Sequence, residues 1–127
     1  MNHLPPLLNV LDKIIRNAGK KIIRDFNEIE RLQSSFKVPS NFISKSLANL
    51  NNQIVSELVK IKPDLKIFDI KESSLDNGWI ISNVDSSTNF SRGISDFMIM
   101  IAHKEKKKIV NLILFNPISD DTYYFSD

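Results

Sequence analysis

One carboxylate followed by three hydroxyl residues, Asp85-Ser86-Ser87-Thr88, is the stretch of this 127-residue chain best equipped for chemistry. It follows an apolar, β-branched run, Trp79-Ile80-Ile81-Ser82-Asn83-Val84. Asp85 suits a helix N-cap or a turn, because its oxygens can accept hydrogen bonds from the first N–H groups of a helix. A helix N-terminus attracts anions through those same N–H groups and the local dipole. The backbone of Ser86, with Ser87 and Thr88, is therefore suited to hold a phosphate or sulfate weakly; plain capping is the competing reading. Other chemistry is scarce. The chain has no cysteine, which excludes disulfides, thiolate catalysis and cysteine-based zinc sites. Its two histidines, His3 and His103, lie far apart in sequence and read as surface or packed residues.

The elements that must position this stretch follow from periodicity. Pro5 and Pro6 suit the first turn of a helix, where a missing N–H costs little. Leu7, Leu11, Ile14, Ala18, Ile22 and Phe26 then recur at three- and four-residue steps, with Lys13, Arg16, Lys20, Lys21 and Arg24 between them. This predicts an amphipathic helix from Pro6 to Leu32, loosened at Gly19. Its basic face reads as the solvated side. Residues 34–41 read as a loop punctuated by Pro39. A second helix is expected over 44–61, with Leu47, Leu50, Ile54, Leu58 and Ile61 on one face and Pro63-Asp64 stopping it.

After that the period changes. Ile67-Phe68, Trp79 to Val84, Phe97 to Ala102, Ile109 to Phe115 and Thr122 to Phe125 read as strands separated by turn chemistry. Residues 103–108, with four lysines, read as a charged hairpin turn that keeps its hairpin soluble, phosphate binding being the less favoured role. Two helices followed by a mostly antiparallel sheet make an α+β fold.

Length and composition set outer bounds. A chain of 127 residues suits one domain, 1–127, able to bury roughly two-thirds of its unfolded surface. Seventeen Lys and Arg against fifteen Asp and Glu leave only +2, too weak a charge to argue for nucleic acid or an anionic membrane. No apolar stretch approaches the length of a membrane span, and the N-terminus lacks a basic-then-apolar leader. The expected compartment is the cytoplasm, with no membrane or nucleic-acid partner.

The stretch from Trp79 to Phe90 resembles the signature of the inositol monophosphatase family, W-I/V-I-D-P-I/L-D-G-T-T-N-F. The resemblance extends along the chain. Asn17-Ala18-Gly19-Lys20 is similar to a K-A-G step in the family's first helix, and Ser40-Asn41-Phe42-Ile43-Ser44-Lys45-Ser46-Leu47 to its N-D-F-V-T-x-x-D. Residues 63–73 parallel the approach to its G-E-E-S. Gly93 to Phe97 and Phe115-Asn116-Pro117 match its G-x-x-x-F and Y/V-N/D-P. The match corresponds to the N-terminal half of a family member. The C-terminal half and its W-D metal motif are absent from the sequence, which reads as a truncated form.

In this family, clustered carboxylates hold Mg²⁺, which polarises the phosphate ester and activates a water. Here the ligand positions are depleted. Leu47 stands at the Asp of N-D-F-V-T-x-x-D, Lys71 or Ile70 at the metal-binding Glu, and Ser82 at the first signature Asp. What the resemblance leaves as metal ligands is Asp85, the Val84 backbone carbonyl and, doubtfully, Glu72 (Asp69 is a further guess). One carboxylate holds Mg²⁺ poorly, because the ion gives up its water reluctantly. Lys71, if it replaces the Glu, would repel the ion and could pair with Asp85. Ser86, Ser87 and Thr88 remain the phosphate-binding candidates, and no catalytic residue is confidently retained. The resulting reading is a catalytically inactive, inositol monophosphatase-like protein without a cofactor. It would act through protein contacts or self-association over an exposed sheet. Family members associated with ribosomal RNA transcription give a regulatory precedent. The alternative is a Mg²⁺-dependent phosphomonoesterase acting on inositol phosphate or a similar small phosphate ester.

Overall fold

Apolar residues at helical spacing fold Pro6–Gln33 into α1 and Ser40–Ile61 into α2. The computed structural model describes residues 4–33, 40–69, 76–82, 90, 92, 94 and 97–127. In α1, Leu8, Leu11, Ile15, Ala18, Ile22, Phe26 and Ile29 form a continuous buried stripe. The helix starts as expected, with the Pro5 carbonyl accepting from Asn9 N–H at 3.0 Å.

Two expectations about the helices need correction. α1 runs through Gly19 without interruption. This glycine is a point of close approach: a Cβ built there would lie 2.9 Å from Phe115 Cε2 and 3.3 Å from Pro117 Cβ. α2 begins at Ser40, inside the segment read as loop. Phe42 and Ile43 pack against the core, so the extra turn is held by burial that the weaker local periodicity did not reveal.

The five strands are β1 (Ile67–Asp69), β2 (Gly78–Ser82), β3 (Ile99–Glu105), β4 (Lys108–Asn116) and β5 (Asp121–Ser126). They form one sheet in sequence order, with β1 parallel to β2 and every other pair antiparallel. Two helices packed on a mostly antiparallel sheet are thus the observed architecture. The strand read from Phe97 is displaced: β3 begins at Ile99 and continues through His103 to Glu105. The turn is only Lys106-Lys107, with φ of 52° and 69°. Two consecutive left-handed residues match the twist of a tight hairpin. The charged run 103–108 is therefore mostly strand, and its lysines do not form one loop. Of the run read from Trp79 to Val84, Asn83 and Val84 lie outside the described residues.

Alternation along the strands divides the sheet into two faces. Trp79, Ile81, Ile99, Ile101, Ile113 and Phe115 join the helical stripes in the core. The opposite face carries two rows set by register, Ile80–Ala102–Leu112–Phe125 and Ser82–Met100–Leu114–Tyr123. No helix among the described residues is long and apolar enough to cross a membrane.

Candidate functional site

Parallel pairing of β1 and β2 aligns Asp69 with Ile81 and brings both strands to a close at the same end of the sheet. The chain therefore leaves Asp69 and Ser82 side by side. Ligands of sheet proteins commonly sit outside the carboxyl ends of parallel strands, so this end of the sheet is the candidate site. The β4–β5 turn lies at the same end. It is held by Asn116 Oδ1, which accepts from Ile118 N–H at 3.0 Å and Ser119 N–H at 3.1 Å.

The helical layer backs this end through aromatic packing. Phe90, which closes the signature stretch, is fully buried. Its ring centroid lies 6.3 Å from that of Phe26 on α1 and 5.5 Å, edge-on, from that of Phe97. Phe26 and Phe97 are 5.6 Å apart. Such tilted and edge-to-face rings add about 0.5–1.5 kcal/mol per pair beyond simple burial. They fix one end of the signature to the core.

Of the positions where the resemblance would put metal ligands, Ser82 and Leu47 are among the described residues. Ser82 ends β2, half-buried, in register with Met100. Leu47 is partly buried on α2 and packed against the hydrophobic core. Asp85, Val84, Glu72, Ser86, Ser87, Thr88, Lys71 and Ile70 lie outside the described residues, as does the side chain of Asp69.

Mg²⁺ requires several oxygen donors in octahedral array. A methyl-ended side chain committed to the core and a neutral hydroxyl do not fit that demand. Among the described residues, no group of three or more His, Asp or Glu side chains could hold a metal.

Two polar arrangements escaped sequence reasoning. On the helical layer, buried Ser46 donates through Oγ to Asp25 Oδ2 at 2.5 Å, with Lys21 Nζ 3.8 Å from the same oxygen. Ser46 directly precedes Leu47, so this bond ties α2 to α1 beside that residue. Only the helical phase of Ser46, one residue before a core-facing Leu, hinted at it. The second lies at the opposite end of the sheet. His103 is buried in register with Trp79, ring centroids 4.9 Å apart. Burial holds its pKa below the ordinary value, Lys62 adds to that depression and Glu105 opposes it. Asn111 Nδ2 lies 3.5 Å from His103 Nδ1. The buried Trp79 indole N–H has no hydrogen-bond partner among the described residues. This cluster is packing, away from the candidate site.

A two-helix layer on an open, mixed five-strand sheet, with a signature leaving the end of its parallel pair, defines a class that the relatives make specific. No protein-family model matches the chain. It is 34% identical over 122 residues to an inositol-1-monophosphatase of Rhizobium meliloti, covering 92% of this chain and 46% of that protein. It is 26% identical over 122 residues to a Nus factor SuhB of Xylella fastidiosa, with 93% and 44% covered. Among solved structures, the extragenic suppressor protein suhB of Bartonella henselae superposes with a TM-score of 0.77 at 22% identity, over 98% of this chain and 48% of that one. An IMPase of Thermotoga maritima gives a TM-score of 0.73 at 21% identity, over 97% and 49%. Over nearly its whole length the chain is similar to inositol monophosphatases. It spans about half the length of the curated relatives it matches, in keeping with an N-terminal half.

Proposed function

We propose that this chain is a non-catalytic member of the inositol monophosphatase family that acts through protein contacts. The observation that carries the reading is Leu47. A position that would supply a carboxylate instead contributes apolar surface to the core. Ser82 supports it, since a hydroxyl at the end of β2 cannot replace a charged ligand. We propose no metal-dependent step, and Mg²⁺ enters only through the alternative below. The relatives named Nus factor SuhB favour a regulatory role mediated by contacts. The surface suited to such contacts is the sheet face opposite the helices, where Tyr123 and Phe125 are exposed.

The alternative, a Mg²⁺-dependent phosphomonoesterase, is favoured by Asp85 and the Ser86-Ser87-Thr88 run, and by the relatives named inositol-1-monophosphatase. Phosphate release from inositol 1-phosphate across a Mg²⁺ titration, with Asp85→Asn as control, separates the two. The non-catalytic reading expects no release at millimolar Mg²⁺. Release that needs Mg²⁺ and disappears in Asp85→Asn overturns it.

A further inference from the structure

Of the three glycines in the chain, only Gly78 follows an asparagine. The pair Asn77-Gly78 leads into β2, and the fold itself requires the glycine. A Cβ built on residue 78 would lie 2.7 Å from Phe68 Cε2 and 2.9 Å from the Lys66 carbonyl oxygen, closer than a carbon can approach. Trp79 N–H donates to that same carbonyl at 2.8 Å, so β1 and β2 are drawn together here and a side chain has no room. Packing therefore sets a residue without a shielding side chain directly after an asparagine amide.

Asn77 is exposed. Its Oδ1 accepts from Lys106 N–H at 3.0 Å, and the neighbouring Asp76 carbonyl accepts from Lys107 N–H at 2.9 Å. These bonds join the entry of β2 to the β3–β4 turn. The first also bears on reactivity. Lys106 N–H sits on the oxygen that gains negative charge when a nucleophile adds to Cγ, which is what an oxyanion-hole donor does. The nucleophile nearest in sequence is the Gly78 backbone nitrogen, which reaches Asn77 Cγ by closing a five-membered ring. Gly78 is the first residue of β2, and exposed ends of elements open at little free-energy cost.

We infer that Asn77-Gly78 is a self-modification site, at which Asn77 converts to aspartate and isoaspartate. The Gly78 nitrogen loses its proton to solvent and bonds to Asn77 Cγ. The Cγ–Nδ2 bond breaks, and ammonia leaves with a proton from solvent, so that a cyclic imide remains. Water then adds to one of the two imide carbonyls. Opening at Cγ restores the backbone and leaves aspartate; opening at the Asn77 main-chain carbonyl leaves isoaspartate. Overall one water is consumed and one ammonia released, with no change of oxidation state.

The products differ in what they do to the fold. Aspartate keeps an acceptor for Lys106 N–H on an unchanged backbone. Isoaspartate lengthens the main chain by one carbon between Asp76 and Gly78. The bonds to Lys106 and Lys107 and the close packing of Gly78 on Phe68 cannot then all be kept, and the entry of β2 loosens from the turn. This inference stands apart from the functional reading above.

Peptide mapping by mass spectrometry tests it, on purified chain held at neutral pH over weeks and on a parallel sample unfolded in guanidinium chloride. The expected result is the mass gain of an amide-to-acid exchange in the peptide carrying Asn77. Enzymatic methylation should detect isoaspartate in the same peptide. The native rate should lie within about tenfold of the unfolded one, as for a segment that opens easily. Asn77→Gln should abolish the gain, because its longer side chain would have to close a six-membered ring. Asn77→Asp should melt with the fresh parent, and the isoaspartate fraction should melt lower. An unchanged Asn77 peptide in the native sample overturns the proposal. So does a native rate slower than that bound, or a gain at this position that persists in Asn77→Gln. An isoaspartate fraction that melts with the fresh chain overturns the loosening of β2.

Discussion

Gly19→Ala sets two effects of known size against each other at the contact that spaces α1 from the sheet. In an unconstrained helix interior, replacing Gly by Ala stabilises by about 1 kcal/mol, because Ala has less backbone freedom to lose. Gly19 is not unconstrained. Its added Cβ would stand 2.9 Å from Phe115 Cε2 and 3.3 Å from Pro117 Cβ, the first inside any real carbon contact. The Phe115 ring cannot swing into solvent: it is 3% exposed, and the Arg16 guanidinium lies 5.1 Å from its centroid. Arg16 is itself held by Asp12, Asp120 and Thr122. Relief must come from moving the helix or the β4–β5 turn, and such overpacking costs about 1–3 kcal/mol. The net expectation is a loss of about 1 kcal/mol, or about 4 °C in melting temperature for a domain of this size. Urea denaturation followed by circular dichroism measures it, with Lys20→Ala, at an exposed neighbouring position, as the near-neutral control. A gain of about 1 kcal/mol in Gly19→Ala would show that α1 has room there and that the close approach does not exist.

His103 makes stability pH-dependent. Its folded pKa is depressed below the ordinary 6.5, first by burial and then by Lys62, so the unfolded chain binds the proton more readily. Stability is fully present above the unfolded pKa near 6.5 and falls as pH drops through the folded pKa. Melting temperatures between pH 8 and pH 5 should fall with acid in the parent and less in His103→Gln; equal slopes would exclude His103 as the cause. For the ligand positions, Leu47→Asp with Ser82→Asp should create Mg²⁺-dependent stabilisation that the parent lacks. If the rebuilt site binds at about 1 mM, 10 mM Mg²⁺ stabilises by about 1.4 kcal/mol. Differential scanning fluorimetry with and without Mg²⁺ reads this, and an equal shift in the parent would mean that Leu47 and Ser82 are not what denies the ion.

Local pattern determined much of this protein. The apolar stripe of α1 was legible because burial on one helical face imposes a 3.6-residue period, and Pro63-Asp64 marked the end of α2 through backbone chemistry alone. Alternation and β-branched runs located the strands, and the signature from Trp79 to Phe90 carried the family resemblance. The expectation that Leu47 and Ser82 stand where the resemblance would put carboxylates came from residue type at a known spacing.

What sequence did not disclose depends on contacts between residues distant along the chain. Gly19 read as a weak point because its role comes from Phe115 and Pro117, nearly a hundred residues away. The first turn of α2 read as loop because its stability comes from Phe42 and Ile43 reaching the core. His103 looked like part of a charged turn, yet strand pairing with Trp79 buries it. The bond between Asp25 and Ser46 exists only because α1 and α2 pack side by side. Above all, tertiary structure decided that Ile80, Ala102, Leu112 and Phe125 form one row. Each is an ordinary alternating position in its own strand, and only register across four strands joins them into a surface.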